Sequence, residues 1–316
     1  MVLWFLAGLV LAPAVLLTAA RVSGSDAGPV VRVVSFAPAG LPLYAVGVVL
    51  LLVLAAWRGR RRLPLAAAAL ATAGLALHLA WVAPWYVGAS AATGEGPALR
   101  VMTANLLGDA GDGPGLVAAA STARVDVLAV EELSTRTLAA MDRAGLAELF
   151  PYRAGEPDPT GGALGTMVFA REPVTDVTRL PTVLGSWSVR VGDVGLFAVH
   201  PAYPLDIAAW RADHAALLAA AADLAPDVLL GDFNATLDHA PMRRLHDAGY
   251  RDATELSGSG WQPTWPASGS GLQGLLPPVV QIDHVLVDDG WSATSTWTVE
   301  IDGTDHRALV AEVART

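Results

Sequence analysis

No cysteine occurs among the 316 residues, so disulfides and thiolate metal ligands are ruled out. Such a composition fits an exported domain that needs no cross-links. No H-E-x-x-H pattern is present, which argues against a protease-type zinc site. There is no internal repeat, which sets aside solenoids and propellers. Positive charge is also scarce, with 20 basic residues against 30 acidic ones and a formal net charge of −10. A chain that binds long polyanions normally carries basic patches that release counterions, so nucleic acid is disfavoured as a partner.

Apolar residues, by contrast, are abundant. They make up 53% of the chain, and the mean hydropathy of +0.45 is too high for an ordinary soluble protein. The excess is concentrated in three runs, Val2 to Ala20, Phe36 to Trp57 and Leu63 to Val87. Each reaches the length of about 20 residues that a bilayer-spanning helix needs. The first run has no basic residue before its apolar core and is followed by two more, so we read it as a retained helix and not as a cleaved signal. Arg58, Arg60, Arg61 and Arg62 lie between the second and third runs. Under the positive-inside rule this loop is cytoplasmic, which puts the N-terminus in the cytoplasm and everything after about Val87 outside. Trp81, Trp85 and Tyr86 then fall at the outer end of the third span, where aromatic rings favour the headgroup layer. His78 lies within that span and reads equally well as a functional group or as a residue packed between helices.

These features divide the chain into a membrane anchor over residues 1–90, a linker over 91–97 and a second domain over 98–316. The charge follows the same division. Residues 1–97 hold six arginines against Asp26 and Glu95, whereas the remainder holds 14 arginines against 28 acids. In the second domain, short apolar runs (ALRVMTA, VDVLAVE, GTMVFA, VGLFAVH, VLLGDFN, VVQIDHVLVD, WSATSTWTVE, RALVAEV) alternate with helical patterns (GLVAAASTA, STRTLAAMDRAGLAEL, IAAWRADHAALLAAAADLA, APMRRLHDAG). The class is α/β, with sheets covered by helices. The uncharged, Gly/Pro/Ser-rich stretch 257–278 reads as a long loop whose Leu272, Leu275 and Leu276, with Trp261 and Trp265, suit contact with a bilayer.

Polar side chains collect at the strand ends: Asn105, Glu131 and Glu132, His200, Asp232 and Asn234, Asp283 and His284, and Asp305 with His306. In G-D-F-N the period of two would place Asp232 and Asn234 side by side, although the same residues also suit a plain turn. A set rich in carboxylates and amides suits a hard cation such as Mg²⁺. By the same period His284 faces away from Asp283, as a packing or surface residue. His214, His239 and His246 fall on helices or turns and read as solvated.

The ordered series TANLL, VLAVEEL, VHPAYP, GDFNA, IDHVLV and TDHRALV resembles the endonuclease/exonuclease/phosphatase superfamily, the group that includes deoxyribonuclease I and the neutral sphingomyelinases. The resemblance spans about residues 98–316. It implies a four-layer α/β/β/α sandwich, here preceded by three transmembrane helices, and a divalent cation, Mg²⁺ or Mn²⁺, at one end. Glu132 resembles the metal-binding glutamate, with Asn105 and Asp305 beside it at the metal. Asp232 and Asn234 match the pair that binds or polarises phosphate and water. His306 matches the general base, Asp283 the carboxylate that orients it, and His200 the histidine that contacts phosphate. Glu131 stands where the family more often has glutamine and reads as a neighbour. Thr304 replaces the usual serine and keeps a hydroxyl. Several family nucleases carry a Glu or Tyr just before the strand written here as GTMVFAR, where this chain has TGGALG, so support for His200 must come from elsewhere.

The chain is also similar to three-span bacterial members linked to cell-envelope phosphate chemistry and glycopeptide tolerance. The expectation is therefore a metal-dependent phosphatase or phosphodiesterase acting outside the membrane on a membrane lipid or lipid-linked phosphate. The alternatives are a membrane-tethered nuclease or phospholipid phosphodiesterase, and an inert member serving as anchor or sensor.

Overall fold

Period-two alternation governs the second domain, and its consequence is a pair of six-stranded sheets packed face to face. The structure, a computed structural model, describes residues 1–57, 62–89, 98–267 and 277–316. The strands are β1 (Leu99–Gly108), β2 (Val127–Leu133), β3 (Tyr152–Glu156), β4 (Thr166–Ala170), β5 (Val174–Leu180), β6 (Ser186–Val191), β7 (Val194–Val199), β8 (Val228–Asp232), β9 (Arg251–Asp252), β10 (Asp283–Val287), β11 (Trp291–Glu300) and β12 (Arg307–Arg315). The first sheet runs β11-β12-β1-β2-β4-β3 and the second β5-β6-β7-β8-β10-β9. The helices are α1 (Val2–Ser23), α2 (Gly28–Val34), α3 (Gly40–Trp57), α4 (Arg62–Val82), α5 (Pro84–Val87), α6 (Gly113–Ala123), α7 (Thr135–Arg143), α8 (Leu146–Leu149), α9 (Ile207–Leu224), α10 (Ala240–Asp247) and α11 (Ala253–Ser257).

The chain forms two compact units, Met1–Pro84 with Asp238–Ala240, and Trp85–Leu237 with Pro241–Thr316. The expected linker and the arginines Arg58, Arg60 and Arg61 lie outside the described residues, as do Leu272, Leu275 and Leu276.

In the first unit, Val2–Ser23, Ala37–Trp57 and Arg62–Val82 are long and apolar enough to cross a membrane. Each contributes one polar group to a buried cluster. Thr18 Oγ1 lies 2.9 Å from Tyr44 OH and 2.9 Å from His78 Nε2. His78 is thus a histidine packed between helices with a hydrogen-bond partner. The helices approach this closely because small residues face the rings, Gly40 under His78 and Gly74 under Tyr44.

In the second unit, the residues that alternate inward fill the seam between the sheets: Val101 on β1, Val127 and Ala129 on β2, Leu196 and Ala198 on β7, Val228 and Leu230 on β8, and Val285 and Val287 on β10. The opposite faces of β1 and β2 pack Met102, Ala104, Leu128 and Val130 against α6 and α7 through Leu116, Ala120 and Met141. On the other sheet, α9 buries Trp210, Leu217 and Ala221. The result is the mixed α/β two-sheet sandwich expected from the sequence. Four strands were not legible there, namely β3, β5, β6 and the two-residue β9. Two histidines also differ from expectation. His214 is buried because it shares the Trp210–Leu217 face of α9, with its ring 4.6 Å from that of Trp210. His239 is buried with its ring bonded to a backbone carbonyl oxygen.

Gly231 is required where β8 meets β7. Its φ of 148° suits only glycine, and a Cβ there would collide with the carbonyl oxygen of Val199. Gly231→Ala should therefore destabilise the second unit by about 2–4 kcal/mol, the range for backbone strain combined with overpacking. Thermal unfolding of the full-length protein, followed by near-UV circular dichroism, reads this directly, and an unchanged midpoint would refute it.

Candidate active site

The seam stays apolar along most of its length and turns polar at one end. On the inward register, β1 passes from Val101 through Thr103 to Asn105, and β2 from Val127 through Ala129 to Glu131. β7 continues past Leu196 and Ala198 to His200, β8 past Val228 and Leu230 to Asp232, and β10 begins at Asp283. His306 immediately precedes β12. One alternation thus carries ligands from several strands to one place.

Most of the residues singled out by sequence meet there, and bonds cross from one sheet to the other. Asn105 Nδ2 donates to Glu132 Oε1 and to Asp232 Oδ2, both at 3.1 Å. His306 Nδ1 lies 2.9 Å from Asp283 Oδ2, while its Nε2 lies 3.7 Å from Asp232 Oδ2 and 4.0 Å from Asp305 Oδ1. His200 Nε2 is 3.8 Å from both Glu132 and Asp232. Period two alone would turn Glu132 away from the seam. Its left-handed backbone, φ 50°, re-aims it toward Asn105.

Asn234 also adopts the left-handed region, φ 49°. Its backbone N–H donates to Asp232 Oδ1 at 2.8 Å and its side-chain amide donates to the carbonyl of Pro201 at 3.0 Å. G-D-F-N is therefore a turn closed on its own aspartate, and its asparagine clamps the segment that follows His200. The missing support for His200 is found in this clamp and in Ser186, whose hydroxyl accepts the His200 backbone N–H at 2.8 Å.

Asp232, Asp283 and His306 offer ligand atoms within 4.8 Å of one another and could hold a metal ion. Asn105, Glu132 and Asp305, which the resemblance places at the metal, border this trio. Among the described residues, Asp283 Oδ1, Asp305 Oδ1 and both ring nitrogens of His200 are buried without a hydrogen-bond partner. Oxygen atoms left unpaired around a carboxylate cluster are the donor set a hard divalent cation takes, so the residues fit the ion expected from the sequence.

Several further residues complete the site, of which Thr264 and the bond from Trp265 had no signal in the sequence. Glu131 is fully buried on the inward register and accepts a bond from Thr103 at 2.9 Å. Thr264 Oγ1 accepts the backbone N–H of Asp283 at 3.3 Å, and Trp265 Nε1 donates to Asp305 Oδ2 at 3.0 Å. The Thr304 hydroxyl bonds the carbonyl of Asn105 at 2.7 Å and accepts the His306 N–H at 3.1 Å, which is what the serine-to-threonine change preserves. His284 faces the other way, as expected, and is buried between Asp252 Oδ2 at 2.9 Å and the carbonyl of Ala235 at 3.0 Å. It holds the far side of the G-D-F-N turn.

Electrostatics follows from burial. Desolvation pushes the carboxyls of Glu132 and Asp232 above their ordinary range, against the opposing effects of the Asn105 amide and of His306 respectively. Burial, reinforced by Asp283, likewise pushes Glu131 well above the ordinary range. Burial lowers His200, which is therefore neutral and able to donate one hydrogen bond. Burial would also lower His306, but Asp283 and Asp232 outweigh it and the imidazole is pushed up to about 10. Without a cation to offset those carboxylates, His306 is an imidazolium at neutral pH.

Because the folded value is raised, the stabilisation from this ion pair is complete below about pH 6.5, the unfolded value. It is lost as the pH rises through about 10. In metal-free protein the ¹⁵N resonances of His306 should remain those of an imidazolium at pH 8, and Asp283→Asn should bring the transition down by at least about one unit. A neutral ring at pH 7 in the unsubstituted protein would contradict the arrangement.

A profile of the Endonuclease/Exonuclease/phosphatase family matches residues 102–306. No curated protein matches the chain. Among solved structures, an endonuclease/exonuclease/phosphatase from Beutenbergia cavernae is similar at 18% identity and a TM-score of 0.56, covering 69% of this chain and 72% of its own. A mannosyl-6-phosphatase from Bacteroides thetaiotaomicron is similar at 15% identity and 0.52, covering 68% and 99%. A 3′ phosphatase from Neisseria bound to a product DNA hairpin is similar at 18% and 0.54, covering 67% and 98%. At these identities the structures establish the shared fold. The family profile extends over most of the chain and takes in the strand ends that carry Asn105, Glu132, Asp232, Asp283 and His306, so the chain belongs to the endonuclease/exonuclease/phosphatase family.

Proposed function

We propose that the chain is a metal-dependent phosphoester or pyrophosphate hydrolase that acts outside the cytoplasmic membrane on a membrane lipid or lipid-linked phosphate. The observation that supports it most directly is the buried trio of Asp232, Asp283 and His306, with His200 facing the same space from β7. Family membership supports hydrolysis of a phosphoester. The three apolar helices favour a substrate held in the same membrane, where tethering raises local concentration without any added affinity.

Asp232 and Asp283, with Glu132, Asn105 and Asp305 at the border, would hold the cation. Bound there, Mg²⁺ or Mn²⁺ supplies positive charge to the phosphoryl oxygens. The protein's own groups account for the rest. Asp283 accepts from Nδ1 of His306 and so fixes the ring with Nε2 toward Asp232, where a water or a substrate oxygen can meet it. In its charged form that nitrogen donates to a developing negative charge, and once neutral it accepts a proton from water. Neutral His200, itself fully buried, would donate to phosphate where such a bond is stronger than in water. The Asn234 and Ser186 contacts keep it in place.

Asp232→Ala, Glu132→Ala and His306→Ala should each reduce turnover by at least about 10²-fold while leaving the fold intact. Phosphate release by purified protein in detergent with Mg²⁺ measures this, with a lipid pyrophosphate compared against single-stranded DNA. Faster release from DNA would transfer the reading to a tethered nuclease. Near-normal turnover in folded His306→Ala would remove His306 as the proton acceptor.

The outward orientation is supported by the arginine cluster between the second and third spans. A reporter fused after Thr316 should be active only when it works outside the cytoplasm. Activity confined to a cytoplasmic reporter would invert the topology and exclude an envelope substrate.

A further inference from the structure

Three loops meet at the polar end of the seam, on the side of His200. Residues 157–165 join β3 to β4, residues 181–185 join β5 to β6, and residues 200–206 join β7 to α9. Each presents large apolar side chains to solvent: Leu164 at 55% exposure, Val183 at 52%, Tyr203 at 47% and Leu205 at 78%. None of the three loops contains a lysine or an arginine. Of their acidic residues, Asp158 is buried, and Asp206 caps α9 by accepting the Ala209 N–H.

These side chains are held by a staple and not by a core. Asp213, buried on α9, accepts the backbone N–H of Val183 at 3.0 Å and of Ala202 at 2.8 Å with the same oxygen. Asp158 accepts the N–H of Leu164 at 3.2 Å, and the Leu164 carbonyl oxygen lies so close to Gly185 that a side chain there would collide with it. Buried carboxylates therefore fix the loops from beneath and leave their apolar tips outward. Apolar side chains held outward around a site mouth, on loops tied together from beneath, are unusual in a protein that meets only water.

From this we infer that Leu164, Val183, Tyr203 and Leu205 form a rim that seats on the lipid surface and brings the mouth of the site to the level of the headgroups. The inference rests on the reading of the substrate as a membrane-held phosphoester, and it identifies the partner surface that such a substrate requires. The occupant is a bilayer on one ground, and the charge of the unit then decides the mode of contact. The same chain carries three helices apolar enough to cross one, so lipid is always within reach of this unit. The unit is also strongly acidic, with 14 arginines against 28 acids over residues 98–316. Anionic lipid would repel such a surface, so close approach has to come from apolar contact, with Tyr203 at the depth that aromatic rings favour.

Because the chain lacks cysteine, single probes can be placed without further change. Val183→Cys and Leu205→Cys, with Leu224→Cys at the opposite end of the unit as reference, are labelled with an environment-sensitive NBD fluorophore. The full-length protein is placed in nanodiscs of phosphatidylcholine and phosphatidylglycerol. Emission from positions 183 and 205 should shift to the blue and fall by about twofold or more when nitroxide-labelled lipid is included, as expected for side chains buried in the interface. Position 224 should do neither.

Probes at 183 and 205 that behave like the one at 224 would overturn the rim. So would a blue shift that nitroxide lipid leaves unquenched and that grows with the number of chains per disc, since the occupant would then be a second copy. This readout needs no turnover, so it decides the rim even if the protein hydrolyses no phosphoester and the functional reading fails. Where turnover is found, the triple variant Leu164→Ser, Val183→Ser and Leu205→Ser should slow hydrolysis of a long-chain lipid phosphate by about tenfold, the scale of losing a few apolar contacts. It should leave a short, water-soluble phosphomonoester unchanged. An equal loss on both substrates would reduce the rim to a support for the fold and reject the inference.

Discussion

The site depends on keeping several carboxylates out of water beside one imidazole. Glu131, Glu132, Asp232 and Asp283 crowd the end of an apolar seam, where each unpaired charge costs several kilocalories per mole. His306 is the cation the protein sets against them, and the charge of Asp283 and Asp232 is what raises its affinity for a proton. The same deficit makes the place receptive to a divalent cation. Asp232 and Asp283 would hold such a cation, and its charge would compete with the proton on His306 for the same carboxylates.

The fold is well suited to concentrating such charge. Because inward residues recur at every second position, the side chains that fill the seam and those that form the site belong to the same rows. Val228, Leu230 and Asp232 form one such row, and Val287, Val285 and Asp283 another. Packing along the row fixes the height at which each acid emerges. The backbone departs from regular geometry where a row would have aimed wrongly, at Glu132, or where a turn had to close on itself, at Asn234. Backbone strain of this kind persists only when the surroundings hold it, and here Asn105 bonds the Glu132 carboxylate while Trp210 donates to the Asn234 carbonyl.

Much of this was legible in the sequence, for reasons that the structure makes explicit. Three long apolar runs are hard to mistake, and the strands that carry ligands announce themselves by ending in Asn, Glu, His or Asp. What escaped notice had no local signal. β5 lies largely exposed, so its sequence shows no alternation between inside and outside. Glu131 is the exception, since strand period alone places it inward while the resemblance favours Glu132. Asp252 with His284, and Asp213 with Val183 and Ala202, are partners 32, 30 and 11 residues apart that only the folded chain brings together. The ordinary histidine pKa near 6.5 was a fair expectation for His306 until the burial of its carboxylate neighbours was known.

The bonds of Asn105 to Asp232 and of His306 to Asp283 each join one sheet to the other. The apolar side chains between the sheets are non-directional in their attraction and tolerate small translations, whereas a hydrogen bond weakens steeply once its geometry is lost. If one sheet slides slightly over its neighbour, most of the buried area is retained while both bridging bonds stretch. Gentle heat or mild denaturant would thus silence the enzyme while its secondary structure still reads as native, and loss of activity would run ahead of loss of fold.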